Sequence, residues 1–248
     1  MVASYWLILG GCRQASPEPI PHEAPLKPWV LLDTVQTPGN GAELCLYQRD
    51  QEFAIQADDI ELMNSRVFGS EKALATLACQ KLPDVAKAQV LIGGLGMGYT
   101  VRSALDELGP KAEIRVAELV PAVVRWNQGV LAHLADKPLQ DERVTVQEGD
   151  VAAMMKRGRG GYSAILLDVD NGPNALTSME NDWLYSMPGL ETAHAALQPH
   201  GILGIWSSDQ DAGFAKRLGQ AGFDVDEVRV RSRGKKGGHN IIWIAERI

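Results

Sequence analysis

Apolar residues fall into short blocks along this chain, and the blocks change period as the chain proceeds. Trp29–Thr37, Ala42–Gln48 and Glu52–Gln56 read as short strands, divided by the turn sequences Pro38-Gly39-Asn40-Gly41 and Arg49-Asp50-Gln51. They predict a small antiparallel β unit. Ala73, Leu74, Leu77 and Ala78 then recur at helical spacing, which predicts a helix from Ser70, its expected N-cap, through Leu82. The run Val90-Leu91-Ile92 has the pattern of a buried parallel strand, and Val101, Ala104, Leu105 and Leu108 mark a helix behind it.

From there strands and helices alternate. Glu113–Ala117, Arg143–Gln147, Ala164–Val169 and Ile202–Trp206 read as strands. Val120–Leu134, a segment centred on Leu190–Leu197, and Gly213–Ala221 read as helices. Such alternation predicts a parallel sheet covered on both faces. Val225–Arg231 and Asn240–Ala245 break the rule, because the loop between them has no room for a helix, so they form an antiparallel hairpin. The fold class is therefore α/β. A mostly parallel, Rossmann-like sheet closed by a C-terminal hairpin resembles the class I methyltransferase fold. The expected organisation is a tail or linker over residues 1–28, a small N-terminal β domain over 29–68, and a nucleoside-binding domain over 69–248.

Composition narrows the function classes. A chain of 248 residues can bury a sizeable core without staples, and its net charge of −7 argues against a general nucleic-acid binder. Cys12, Cys45 and Cys79 are odd in number and widely spaced, which suggests neither a disulfide framework nor a metal site and fits a reducing compartment. Five prolines between residues 13 and 28 mark an extended tail. Tyr5–Gly11 is apolar and precedes Cys12, but no Lys or Arg comes before it and the run is short for a secretion signal. No apolar run reaches membrane-spanning length. The expectation is a cytoplasmic protein with no membrane partner, no nucleic-acid partner and no metal.

The candidate chemistry sits at predicted strand ends, where open α/β sheets bind their ligands. After Ile92 come Gly93, Gly94, Gly96 and Gly98, a strand–turn–helix layout that brings backbone N–H groups close to a ligand. The spacing G-x-G-x-G is not the dinucleotide G-x-G-x-x-G, since Tyr99 stands where the third glycine would fall, and it is common in folds that bind S-adenosylmethionine. Glu118 lies 22 positions after Gly96, at a strand end, and can accept both hydroxyls of a ribose. Asp150 can accept an adenine amine while the Val151 amide donates to a ring nitrogen; Asp150 is equally suited to cap the next helix. Asp168, at the end of an apolar strand, should be desolvated, and a carboxylate there could orient or deprotonate an amine beside a sulfonium. Arg229, Arg231 and Arg233 share one strand face and suit a solvated sheet edge. His133, His194 and His200 lack metal-ligand spacing, and Trp126, Trp183 and Trp206 suit core or pocket walls.

The glycine segment, Glu118, Arg143-Val144 with Gly149-Asp150, and Ala164-Ile165-Leu166-Leu167-Asp168 with Gly172-Pro173 resemble the spermidine synthases, the polyamine aminopropyltransferases. That resemblance implies a small N-terminal β domain on a methyltransferase-like domain, a homodimer, and S-adenosylmethionine or its decarboxylated form as co-substrate. The partner it implies is a small-molecule amine acceptor. It makes Asp168 the catalytic aspartate, Glu118 the ribose ligand and Asp150 the adenine ligand. The chain also departs from the family. Gly96 stands where the family has an aspartate, Gly69-Ser70 precedes Glu71 where the family has Tyr-His, and Asn171 stands where the second aspartate is spaced, with Asp170 next to it. The nucleoside half of the site thus matches better than the amine half. Amine alkylation, methyl transfer and a non-catalytic nucleoside-binding role all remain open on the residues alone.

Overall fold

The computed structural model describes residues 27–38, 41–58, 60–169, 182–233 and 236–248. The expected tail up to residue 26, Asp170 and the Asn171-Gly172-Pro173 segment lie outside the described residues.

The first four strands, β1 (Val30–Gln36), β2 (Glu43–Arg49), β3 (Glu52–Ala57) and β4 (Ile60–Asn64), form an antiparallel sheet in the order β1-β2-β3-β4. The pattern of apolar residues predicts only three of them. β4 is short, follows a tight reversal at Asp58 (φ 45°) and carries only partly covered side chains, so it lacks a buried period-2 signal. Leu44, Leu46, Phe53 and Ile55 of this sheet are buried in the same cluster as Met97, Tyr99, Val123 and Trp126 of the larger unit. Phe68 stacks on Tyr99 at 4.3 Å, and the Trp126 indole N–H donates to Asp33 Oδ2 at 2.8 Å.

The larger unit runs α1 (Gly69–Gln80), β5 (Gln89–Gly93), α2 (Tyr99–Glu107), β6 (Glu113–Glu118), α3 (Pro121–Gln128), β7 (Val144–Glu148), α4 (Val151–Arg157) and β8 (Tyr162–Leu167). It continues through α5 (Asp182–Tyr185), α6 (Met187–Ala196), β9 (Leu197–Ser207), α7 (Ala212–Gln220), β10 (Phe223–Arg233) and β11 (Lys236–Arg247). Among the described residues these strands make one seven-stranded sheet, in the order β10-β11-β9-β8-β5-β6-β7. Strands β5 to β9 pair in parallel, and β11 and β10 add antiparallel at one edge, as the missing crossover helix required.

Alternate side chains of the sheet go to opposite faces, the period-2 rule of a strand. Val90, Ile92, Ile114, Val116, Ala164, Leu166, Ile202 and Ile242 pack with α1, α2 and α3. Leu91, Ile165, Leu167, Leu203, Ile205 and Trp243 pack with α4 to α7. Each of the Val, Leu and Ile side chains contributes about 1.5–3 kcal/mol on burial, which gives the sheet the stability to hold polar groups at its carboxyl edge.

Two local expectations are corrected. The helix expected over Val120–Leu134 ends at Gln128; Gly129 closes it, and the apolar pattern continues into a 3-10 turn at Ala132–Ala135. Ser70 does not cap α1, which begins at Gly69 after Phe68; the Ser70 hydroxyl donates to Glu71 instead.

Chain order then places the site. From β5 the chain steps outward to β6 and β7, and crosses back to β8 on the other side of β5. The crevice above the carboxyl ends of β5 and β8 is the switch point of the sheet, where ligands bind in this architecture. Among the described residues, no helix is long and apolar enough to cross a membrane.

Candidate active site

The glycine turn leaves β5 with three residues at positive φ: Gly94 (87°), Gly96 (52°) and Gly98 (82°). Gly94 is the most constrained, since a Cβ there would lie 2.3 Å from the Asp168 carbonyl oxygen. Absence of a side chain therefore lets the turn lie directly on the end of β8. Backbone bonds fix it from both sides: Gly94 N–H donates to the Ala117 carbonyl at 2.9 Å, and Asp168 N–H to the Gly93 carbonyl at 2.9 Å.

Glu118 braces the same turn. Its Oε2 accepts the Leu95 N–H at 2.9 Å and its Oε1 accepts the Val120 N–H at 2.8 Å, while the residue is only 8% exposed. Two backbone donors offset the desolvation of a buried carboxylate. The residue expected to hold a ribose thus also shapes the loop beside it.

At the end of β7, Gly149 takes φ 147°, and a Cβ there would meet nothing within 4 Å. The space beside it is open, next to Asp150. Asp150 Oδ1 accepts the Ala152 N–H at 2.7 Å, so the carboxylate caps α4, as one of its two sequence readings requires. The Val151 side chain is buried against Gly93.

Asp168 stands just past the last residue of β8. It is half-buried as a residue, with its carboxyl crowded by protein, and desolvation pushes that carboxyl up to about 6, against the opposing pull of the Thr100 hydroxyl. Thr100 Oγ1 donates to Asp168 Oδ2 at 2.5 Å and also lies 3.4 Å from the Glu71 carbonyl oxygen. Glu71, on the first turn of α1, is 7% exposed. Burial first, and the Asp168 charge second, push its carboxyl up to about 7, although the Ser70 hydroxyl donates to Oε2 at 2.8 Å. Among the described residues, no Lys, Arg or His forms an ion pair with either acid. Two neighbouring carboxyls thus stand at the switch point with no ion-pairing cation among the described residues.

The structure places Gly93, Gly94, Gly96, Gly98, Glu118, Asp150, Val151 and Asp168 together at the carboxyl edge of the sheet. Sequence reading misses three groups. Glu71 carried a signal: it is spaced with Leu74, Ala75 and Ala78 at i+3, i+4 and i+7, on the buried stripe of its helix. Thr100 carried none, because its partner is 68 positions away. Met63 covers Gly96; a Cβ on that glycine would lie 2.6 Å from Met63 Cε. Trp206 stands one residue beyond Ile205, the register partner of Leu167, and so beside Asp168 on the same sheet face. Its indole N–H is buried without a hydrogen-bond partner among the described residues. Arg229, Arg231 and Arg233 are all exposed on β10, an edge strand, as a solvated edge should be.

No family model matches the chain, and no curated protein matches it. Solved structures do. Spermidine synthase from Thermotoga maritima is similar with a TM-score of 0.70 at 15% identity, over 88% of this chain and 72% of that one. A spermidine synthase in complex with the transition state analogue AdoDATO is similar with a TM-score of 0.70 at 16% identity, over the same shares. A probable spermidine synthase from Corynebacterium glutamicum ATCC 13032 is similar with a TM-score of 0.61 at 16% identity, over 86% of this chain and 79% of that one. The chain has the spermidine synthase fold.

Proposed function

We propose that this chain is a spermidine synthase-like transferase that alkylates a small-molecule amine with decarboxylated S-adenosylmethionine or S-adenosylmethionine. The single observation that carries the reading is the pair Glu71 and Asp168: two acids without a basic partner, at the switch point, against the glycine turn. Such a pair favours a cationic ligand, and an amine acceptor at neutral pH is one. In this reading Gly93, Gly94, Gly96 and Gly98 line the donor's path, Glu118 takes the ribose hydroxyls, and Asp150 with the Val151 amide receives the adenine. Asp168 holds the amine, with Asp170 as a second acid. Catalysis is mostly positioning, because a sulfonium is already a good electrophile. We place the enzyme in the cytoplasm as a homodimer, with neither a metal nor a nucleic-acid partner.

A second reading, methyl transfer from S-adenosylmethionine, is favoured by one observation. Gly96 is neutral and Met63 fills the space above it, so no acid stands there to select a cationic donor tail. One assay separates the two. The protein is incubated with putrescine and each donor, and the nucleoside product is identified. Methylthioadenosine formed from the decarboxylated donor supports aminopropyl transfer; S-adenosylhomocysteine supports methyl transfer; neither product with any amine rejects both.

A further inference from the structure

Alkylation of an amine requires that its ammonium first lose a proton, and the site at the switch point holds two acids that could take it. Asp168 is the more restrained of them. Its Oδ2 already accepts the Thr100 hydroxyl, its N–H is tied to the Gly93 carbonyl, and Gly94 lies against its own carbonyl. A carboxylate that accepts a short hydroxyl bond is stabilised in its ionised form and is the weaker base. Glu71 has the longer side chain and has Ser70 as its one side-chain hydrogen-bond partner among the described residues.

Resting on the function proposed above, we infer that Glu71 accepts the proton of the acceptor amine, while Asp168, held by Thr100, keeps its charge and orients the nitrogen.

The groups that face Glu71 agree with this division. From β8 comes Asp168, from its own helix Ser70, and from α2 Thr100 and Tyr99. The Tyr99 phenol is pushed up to about 12 by burial first and by Glu71 second, so it is neutral at working pH. None of these supplies a positive charge. Burial raises both carboxyls above the ordinary range, so either can hold a proton near neutral pH; the short bond from Thr100 and the backbone ties fix Asp168, and Glu71, on the longer side chain, is the one left to take the proton.

The step balances. One N–H proton of the ammonium passes to Glu71. The freed lone pair forms an N–C bond to the carbon on the sulfonium, and the C–S bond breaks with its pair going to sulfur. A neutral thioether and a secondary ammonium remain. Ammonium, sulfonium and two carboxylates sum to zero charge before the step; secondary ammonium, one carboxylate and protonated Glu71 sum to zero after it. Glu71 returns its proton to solvent as product leaves.

The test measures kcat and KM against pH for wild type, Glu71→Gln, Glu71→Asp and Asp168→Asn, with putrescine and each donor. Thermal melting and donor binding by calorimetry verify that each variant is folded. Glu71→Gln should lose kcat by about 10²–10⁴-fold, the usual range for general-base removal, with donor affinity little changed. Its rise of kcat near neutral pH should disappear, leaving activity only at alkaline pH where the amine is already free, and Glu71→Asp should recover part of both. Asp168→Asn should raise the amine KM and keep the neutral rise. If Glu71→Gln keeps wild-type kcat and its pH rise while Asp168→Asn loses them, Asp168 is the base and the inference is overturned with the transferase reading intact. If wild type forms no product from either donor, the transferase reading itself falls and takes the inference with it.

Discussion

The Leu95 N–H donates to Glu118 Oε2 at 2.9 Å, so the carboxylate that ends one strand holds the glycine turn that ends its neighbour. A residue read for its ligand chemistry is therefore also a structural brace. Glu118→Ala leaves the amides of Leu95 and Val120 without acceptors in a buried place. The expected loss is about 2–4 kcal/mol for two unsatisfied donors, together with most of the donor affinity that the proposed function assigns to Glu118. Glu118→Gln keeps one carbonyl oxygen and should lose roughly half as much stability. Urea unfolding of the three proteins checks this, and equal stability of Glu118→Ala and wild type would remove the brace.

Glu71 makes stability depend on pH in an unusual direction. Its carboxyl lies near 4.5 in the unfolded chain and at about 7 in the fold, raised by burial and then by Asp168. Between those values the native state binds more protons than the unfolded one, so stability falls as pH rises from about 4.5 to about 7. Asp168 acts in the same direction between 3.8 and about 6. The Glu71 contribution is up to about 3 kcal/mol. Glu71→Gln should flatten the slope and be more stable than wild type at pH 8, the cost of a functional charge removed. Melting temperatures for both proteins from pH 5 to 8 decide it; parallel curves would reject the assignment. A stabilised Glu71→Gln would also show that its loss of turnover is not a loss of fold.

Much of the fold could be read from the chain because its signals are local. The Val90–Thr100 segment has its strand, its turn and its helix within a dozen residues, and the lack of a crossover between Val225–Arg231 and Asn240–Ala245 dictated the antiparallel edge. The site was legible only in part, because its relations are not local. Thr100 and Asp168 meet through the order of strands β5 and β8, which no spacing encodes. Glu71 was visible on the buried stripe of α1, yet an acid on an apolar stripe gives no hint of which other acid it will face. β4 and the break at Gly129 were missed because a half-covered strand and an apolar 3-10 turn both blur the period that separates elements.

Arg143 shows a motif residue with a structural role. Its Nε and one terminal nitrogen donate to Asp141 at 2.9 and 2.8 Å, while the other terminal nitrogen donates to the carbonyls of Leu105, Leu108 and Gly109. It thereby joins the start of β7 to the end of α2. Hydrogen bonds from Arg143 hold the Asp141 carboxyl down at about 2, so its stabilisation is present above the unfolded value of 3.8 and is lost as pH falls through about 2. Arg143→Ala should cost about 2–3 kcal/mol by stranding these acceptors. It should also remove the acid-side fall in stability attributable to Asp141. Arg143→Lys cannot reproduce a planar fork and should recover less than half of the loss. Denaturant midpoints at pH 3 and pH 7 test both statements, and full recovery by lysine would show that charge alone suffices.

Met63 and Gly96 together set the last expectation. Spermidine synthases, which the sequence resembles, have an aspartate where Gly96 stands, and here φ is 52° and the place of a side chain is filled by the Met63 thioether, 2.6 Å from a Cβ to Cε and 3.0 Å to Sδ. Gly96→Asp alone must both adopt a left-handed backbone and displace Met63, so it should be strained; aspartate tolerates that backbone better than most residues. The double variant Gly96→Asp with Met63→Ala removes the obstruction. A carboxylate about 4 Å from a cationic amine is worth about 4 kcal/mol at an effective dielectric of 20, before desolvation is subtracted. A third of that, about 1.4 kcal/mol, is tenfold in affinity. The double variant should therefore shift preference toward the decarboxylated donor by about tenfold relative to wild type, while Met63→Ala alone should not. Thermal stabilisation by each donor at matched concentration reports the ratio, since a ligand that binds only the native state stabilises by RT ln(1 + [L]/Kd). If wild type already prefers the decarboxylated donor strongly, another acid supplies the charge, with Asp170 the first to substitute, and Gly96 does not set donor choice.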